Sequence, residues 1–160
     1  MTEDLSRYAP SFGPESDVGS EPTDAGGLTD RATGGCACGN VRFRVRGELR
    51  EIINCHCEPC RRFTGHFMAG TAAATNDLIR ESDETLAWGW RTPTVSYGFC
   101  SACGSSLFWE AHDKPDTTAI AAGSLDGPTG LSTTLTRFGN DASDYYELDP
   151  EIETEPYDRP

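Results

Sequence analysis

Residues 54–65 read NCHCEPCRRFTG, and the three cysteines within six of these positions govern the reading of the whole chain. Cys36-Ala37-Cys38 stands upstream and Cys100-Ser101-Ala102-Cys103 downstream, which accounts for all seven cysteines. In extended chain, residues i and i+2 project to the same side, so Cys36 and Cys38 can offer two sulfurs to one ion. A Cys-x-x-Cys on a tight turn does the same, and Gly104 follows the last pair as such a turn requires. Seven is an odd number, which a closed disulfide framework leaves unpaired. The cysteines therefore read as metal ligands.

Zinc in a structural site takes four ligands, at about 2.3 Å for sulfur, whereas a catalytic zinc keeps one position for water or substrate. Seven cysteines divide into a closed four and an open three. One division is a ribbon pairing Cys57 and Cys60 with Cys100 and Cys103. It needs a 39-residue insert, longer than the roughly 15–20 residues usual between such pairs, and it strands Cys36, Cys38 and Cys55. The other joins Cys36, Cys38, Cys100 and Cys103 and leaves the compact trio Cys55, Cys57 and Cys60. Compactness favours the second division; spacing does not close the first.

Outward from the cysteines, Val41, Phe43 and Val45 alternate with Arg42, Arg44 and Arg46, the pattern of a half-buried strand with a solvated basic face. Further strands are expected over Leu49–Asn54, Phe67–Ala74, Thr85–Trp90, Tyr97–Cys100, Ser105–Trp109 and Thr117–Ala122. One helical turn over Glu58–Phe63 should stop near Gly65. No segment holds helical periodicity beyond two turns, so the class is mainly β, in short strands punctuated by Gly and Pro. Trp88, Trp90, Trp109 and Phe108 are expected to fill the core.

At 160 residues the chain fits one domain. Its net charge of -13 lies in the ends: residues 1–33 carry -5, residues 141–160 carry -7, and residues 34–140 are almost neutral. Residues 1–33 have too few apolar side chains to offset ordering entropy and read as a disordered acidic segment. Residues 34–140 read as the zinc domain, and residues 141–160 as an acidic tail, partly packed through Tyr145, Tyr146 and Leu148. A nucleic-acid partner is disfavoured, because phosphate binding needs a basic face. No run of about 18 apolar residues spans a membrane, and the acidic N-terminus has no secretory character. A reducing, cytoplasmic setting is expected. Lys114 is the only lysine beside twelve arginines, a composition that suits either high salt or merely solubilising tails.

Three ordered motifs carry a resemblance: GGCACGNVRF at 34–43, Asn54-Cys55-His56-Cys57 with Cys60-Arg61-Arg62 and Thr64-Gly65, and Phe99-Cys100 through Cys103-Gly104-Ser105. They resemble the glutathione-dependent formaldehyde-activating family, which includes centromere-protein-V-like domains, from about Gly34 to Asp126. The resemblance implies a β-tent fold of short antiparallel strands. It implies two zinc ions, one structural on Cys36, Cys38, Cys100 and Cys103, the other catalytic on Cys55, Cys57 and Cys60. The implied activity is carbon–sulfur lyase chemistry on formaldehyde and glutathione. The likeness fades after Gly130: members of the family often carry a histidine near the position of Thr134 or Leu135 and a tryptophan soon after, and here Asp144-Tyr145-Tyr146 and an acidic tail stand instead.

In that chemistry a substrate thiol takes the open position and loses its proton, and its attack on formaldehyde gives an S-hydroxymethyl adduct. Arg61 and Arg62 directly follow Cys60 and are candidates to hold a substrate carboxylate, with ordinary surface charge as the plainer reading. His56 should point away from its flanking cysteines and pack; His66 and His112 read as surface histidines. Two functions stay open: a lyase acting on a small thiol–aldehyde adduct, or a non-catalytic zinc scaffold. A fourth protein ligand beside Cys55, Cys57 and Cys60 would favour the scaffold.

Overall fold

The computed structural model describes residues 29–157. Its strands fall into two sheets. The smaller holds β1 (Ala32–Gly35), β2 (Arg42–Val45) and β5 (Leu78–Ser82), in the order β1-β2-β5. The larger contains β3 (Ile52–Cys55), β4 (Met68–Ala74), β6 (Leu86–Thr92), β7 (Val95–Cys100), β8 (Ser106–Ala111), β9 (Thr117–Ala121), β10 (Thr133–Arg137) and β11 (Glu153–Glu155). Their order is β11-β10-β3-β4-β9-β8-β7-β6. Pairing is antiparallel except where β10 runs parallel to both β3 and β11. The mainly β reading stands.

The alternation at 41–46 does what its period requires. Val41, Phe43 and Val45 are fully buried and join Leu107, Phe108 and Ile120 of the large sheet in one core. The Phe43 ring meets Phe108 edge-on, with centroids 5.2 Å apart. The arginines between them face outward into ion pairs: Arg42 with Asp126, and Arg44 with Asp30 and Glu81. A second cluster gathers Cys57, Cys60, Met68, Tyr97 and Ala121. The one α-helix among the described residues, α1 (Glu58–Thr64), ends on Gly65 in the left-handed conformation, φ 82°, as a glycine C-terminus does.

Three features depart from the sequence expectations. β1 begins at Ala32, inside the segment expected to be loose, because Gly34 and Gly35 let the strand lie close against β2; residues 1–28 lie outside the described residues. Trp90 is 65% exposed rather than core, because β6 is an edge strand whose end outruns the core; its ring stacks on His112 at 4.8 Å. Strands β5, β10 and β11 were not expected at all.

Candidate metal centres

Cys36, Cys38, Cys100 and Cys103 come together from two turns built alike. In each, a positive-φ glycine closes the turn with its N–H on the first cysteine's carbonyl: Gly39 (φ 79°) onto Cys36 at 3.0 Å, and Gly104 (φ 79°) onto Cys100 at 2.8 Å. A side chain at either glycine would sit in the left-handed region, which disfavours L residues. The first cysteine of each turn is buried and the last exposed. Ser105 ties the turns together, accepting from Ala37 N at 3.0 Å and lying 3.2 Å from Cys103 Sγ. Burial opposes ionisation of Cys103, but hydrogen bonds from the Ser105 hydroxyl and nearby backbone bring its pKa down to about 6.

The second group is local. Cys55 ends β3, Cys57 caps the start of α1, and Cys60 lies in the helix's first turn. The helix begins there because Pro59 needs no N–H partner at a first-turn position. Cys55 Sγ lies 3.5 Å from Cys57 Sγ, and Cys60 Sγ lies 3.6 Å from the Tyr97 hydroxyl. Hydrogen bonds from Cys55 and then Cys60 hold Cys57 down to about 2, while the same network pushes Cys55 up. One thiolate is thus favoured, with protons retained on its neighbours, and a divalent cation is the natural replacement for those protons.

Within each group all sulfurs lie within 4.8 Å of one another. Sulfurs bonded to one tetrahedral zinc at about 2.3 Å stand roughly 3.8 Å apart. The shortest separations in the first group, 3.4 Å for Cys36–Cys38 and 3.7 Å for Cys38–Cys100, match that spacing and exceed the roughly 2.0 Å of a disulfide. Both donor sets fit a thiophilic metal. The ribbon division is excluded, since the two groups are separate. Among the described residues no fourth His, Cys, Asp or Glu joins the trio.

The trio opens into a cavity of about 380 Å³. Tyr97, Trp109, Val95, Met68 and Phe138 form its apolar walls, and Phe138 stands out as the one non-glycine at positive φ (59°) among the described residues. Burial first, then the nearby Cys60 sulfur, raises the Tyr97 pKa, so its hydroxyl keeps its proton. Four cations share the lining, Arg50, Arg91, Lys114 and Arg137, against the single acid Asp113. Sequence reading missed all four, since they are spread over positions 50 to 137 with no local motif. The available signal was global: so few bases in so acidic a chain invite the question of where they converge.

A model of the glutathione-dependent formaldehyde-activating enzyme family matches residues 31–141. The chain belongs to this family. A crystal structure of a Rhodobacter sphaeroides protein is similar as well, at 28% identity and a TM-score of 0.50, covering 60% of this chain and 89% of that one.

In this member of the glutathione-dependent formaldehyde-activating family, Arg61 and Arg62 lie apart from the trio's cavity. Neither lines the cavity at the trio. α1 turns Cys60 inward and directs the two arginines elsewhere. Arg61 donates to the His56 carbonyl at 3.1 Å and to Ser143 at 2.8 Å; Arg62 pairs with Glu58 one helical turn back. His56 is 2% exposed, packs on Phe67 and meets the Tyr146 hydroxyl at 2.7 Å. Tyr146 thus braces the loop that carries the trio, and Tyr145 packs beside it on His66. His66 is no bare surface histidine, since it packs among Phe67, Tyr145 and Tyr146.

Proposed function

We propose that this protein binds two zinc ions and, at the one held by Cys55, Cys57 and Cys60, joins a small thiol to formaldehyde and releases it again, a carbon–sulfur lyase. The other ion, on Cys36, Cys38, Cys100 and Cys103, is structural in this reading. The observation that carries the proposal is the contrast between the two groups: four sulfurs close one set, whereas three sulfurs face a cavity in the other. A zinc ion on three thiolates supplies a Lewis acid with one open position, where a substrate thiol is acidified.

The chain's own groups do the rest. Trp109, Phe138, Val95 and Met68 give the cavity apolar walls, and water displaced from them by a bound substrate would strengthen charge interactions inside it. The Tyr97 hydroxyl, protonated and directed at Cys60 Sγ, withdraws charge from that sulfur by hydrogen bonding. In the forward direction the carbon–sulfur bond forms, the carbonyl π bond breaks, and the thiol's proton ends on the new hydroxyl oxygen. The reverse restores both reactants. All seven cysteines are free thiols here, which fits a reducing, cytoplasmic setting. A fourth protein ligand at the trio would have favoured a scaffold, and among the described residues no His, Cys, Asp or Glu supplies one.

Cys57→Ser decides between the two. Adduct formation from formaldehyde and glutathione should vanish while one zinc per chain remains bound. Wild-type turnover by the variant would overturn the proposal.

A further inference from the structure

Phe138 is the one non-glycine among the described residues in the left-handed region, at φ 59° and ψ 47°. For an L residue with a bulky side chain that conformation is strained, and it persists only where the surroundings force it. A glycine follows, yet Gly139 does not take up the turn. It lies outside the left-handed region and is needed for space, since a Cβ there would run into the Thr154 methyl group.

The contacts on either side force the conformation. Before it, the Arg137 carbonyl accepts from His56 N at 2.9 Å, in a parallel register that sets Arg137 opposite Cys55. After it, the Phe138 carbonyl accepts from Asp141 N at 3.0 Å and opens a 3-10 turn over Gly139–Asp141. Asn140 N in that turn reaches the Pro156 carbonyl at 3.4 Å. The chain passes at once from the β10 ladder into a turn pinned against the C-terminal stretch, and Phe138 absorbs the change of direction.

That strain keeps a half-buried aromatic side chain at the trio. Phe138 packs against the cluster of Cys57, Cys60, Met68 and Tyr97 and lines the cavity. The other large apolar walls belong to strands: Met68 to β4, Val95 and Tyr97 to β7, Trp109 to β8. Phe138 stands off the ladder, one residue beyond the end of β10. The cavity, about 380 Å³, lies near the small end of the roughly 300–1,000 Å³ of ligand pockets. A thiol with side arms therefore leaves little room for its reaction partner.

We infer that Phe138 is a specificity-determining residue: its strained backbone holds the ring against the trio, and the ring sets the largest carbonyl substrate that can reach a thiol bound there. The inference rests on the reading of the trio as a thiol–aldehyde site and adds the residue that limits the aldehyde. An alkyl chain on the carbonyl carbon competes with this ring for space, whereas a hydrogen does not.

Strain and size selection are measured separately. Phe138→Gly should melt above Phe138→Ala, because glycine adopts a positive φ freely and alanine does not; at an unstrained position the order is the reverse. Size selection is read by calorimetric titration of the zinc-loaded full chain with S-alkyl glutathiones, unreactive thioethers whose alkyl group stands in for the aldehyde carbon. S-propylglutathione should bind the wild type about tenfold more weakly than S-methylglutathione, and Phe138→Ala and Phe138→Gly should bind the two about equally. Phe138→Leu keeps an apolar side chain, and its ratio should fall between, which preserves the test where the smaller variants fold poorly. Alanine melting above glycine, a propyl-to-methyl ratio that is the same in every protein, or no binding of either thioether overturns the inference. Because the probes cannot react, the outcome is separate from turnover. A ratio that collapses in the variants, with no adduct formed from formaldehyde by the wild type, would refute the lyase and spare the role of Phe138. Wild-type turnover of formaldehyde with an unchanged ratio would do the reverse.

Discussion

Gly34 lies where a side chain has no room. A Cβ there would stand 2.5 Å from both the Phe43 ring and the Ser124 carbonyl, and one of those contacts is with backbone that cannot swing away. Gly34→Ala should therefore destabilise the protein by about 1–3 kcal/mol, read as a lowered melting temperature with zinc content retained. Phe43 has the opposite problem, being fully buried, so Phe43→Ala should cost about 3–5 kcal/mol by leaving a cavity. Asp126 shows the same neighbourhood electrostatically. It bonds Arg42 and accepts from Thr33 Oγ1 at 2.7 Å, and the Arg42 hydrogen bond chiefly lowers its pKa below 3.8. A carboxylate depressed in the folded state contributes stability above its unfolded pKa and loses it as pH falls through the folded value. The gap in melting temperature between wild type and Asp126→Asn should thus stay constant from neutral pH down to about 4 and narrow only below that. A gap that closes between pH 7 and 5 would contradict this placement of the charge.

At the scale of elements, the two cysteine groups differ in what they hold together. The first joins turns more than sixty residues apart, Cys36–Cys38 and Cys100–Cys103, so its metal closes a long loop and contributes folding free energy directly. The trio spans the junction of β3 with α1 and ties little chain together. Cys103→Ser should accordingly lower the melting temperature far more than Cys57→Ser; equal shifts would contradict the division of roles. The C-terminal stretch works as a brace, through Tyr146 on His56, Ser143 on Arg61, and β11 beside β10. Truncation after Asp141 should give a moderate loss of thermal stability. These elements also show what sequence could and could not reveal. β2 was legible because its buried residues alternate with arginines, and the end of α1 because Gly65 marks it. β10 and β11 were not, since Thr133–Arg137 alternates only weakly and Glu153–Glu155 is an acidic tripeptide. Both owe their strand geometry to pairing with distant neighbours. The cysteine ligand types were plain from spacing, but their division needed the distances.

Across the whole molecule, the cavity at the trio draws its cations from β6, β10 and the loops before β3 and β9. No helix among the described residues is long and apolar enough to cross a membrane. The central claim is that one metal site is closed and the other open to a thiol, and zinc-edge X-ray absorption measures this directly. Seven thiolates over two ions give an average of about 3.5 sulfurs per zinc. Added substrate thiol should raise that number to about 4 as its sulfur takes the open position. A sulfur count that does not change when thiol is added would contradict the account.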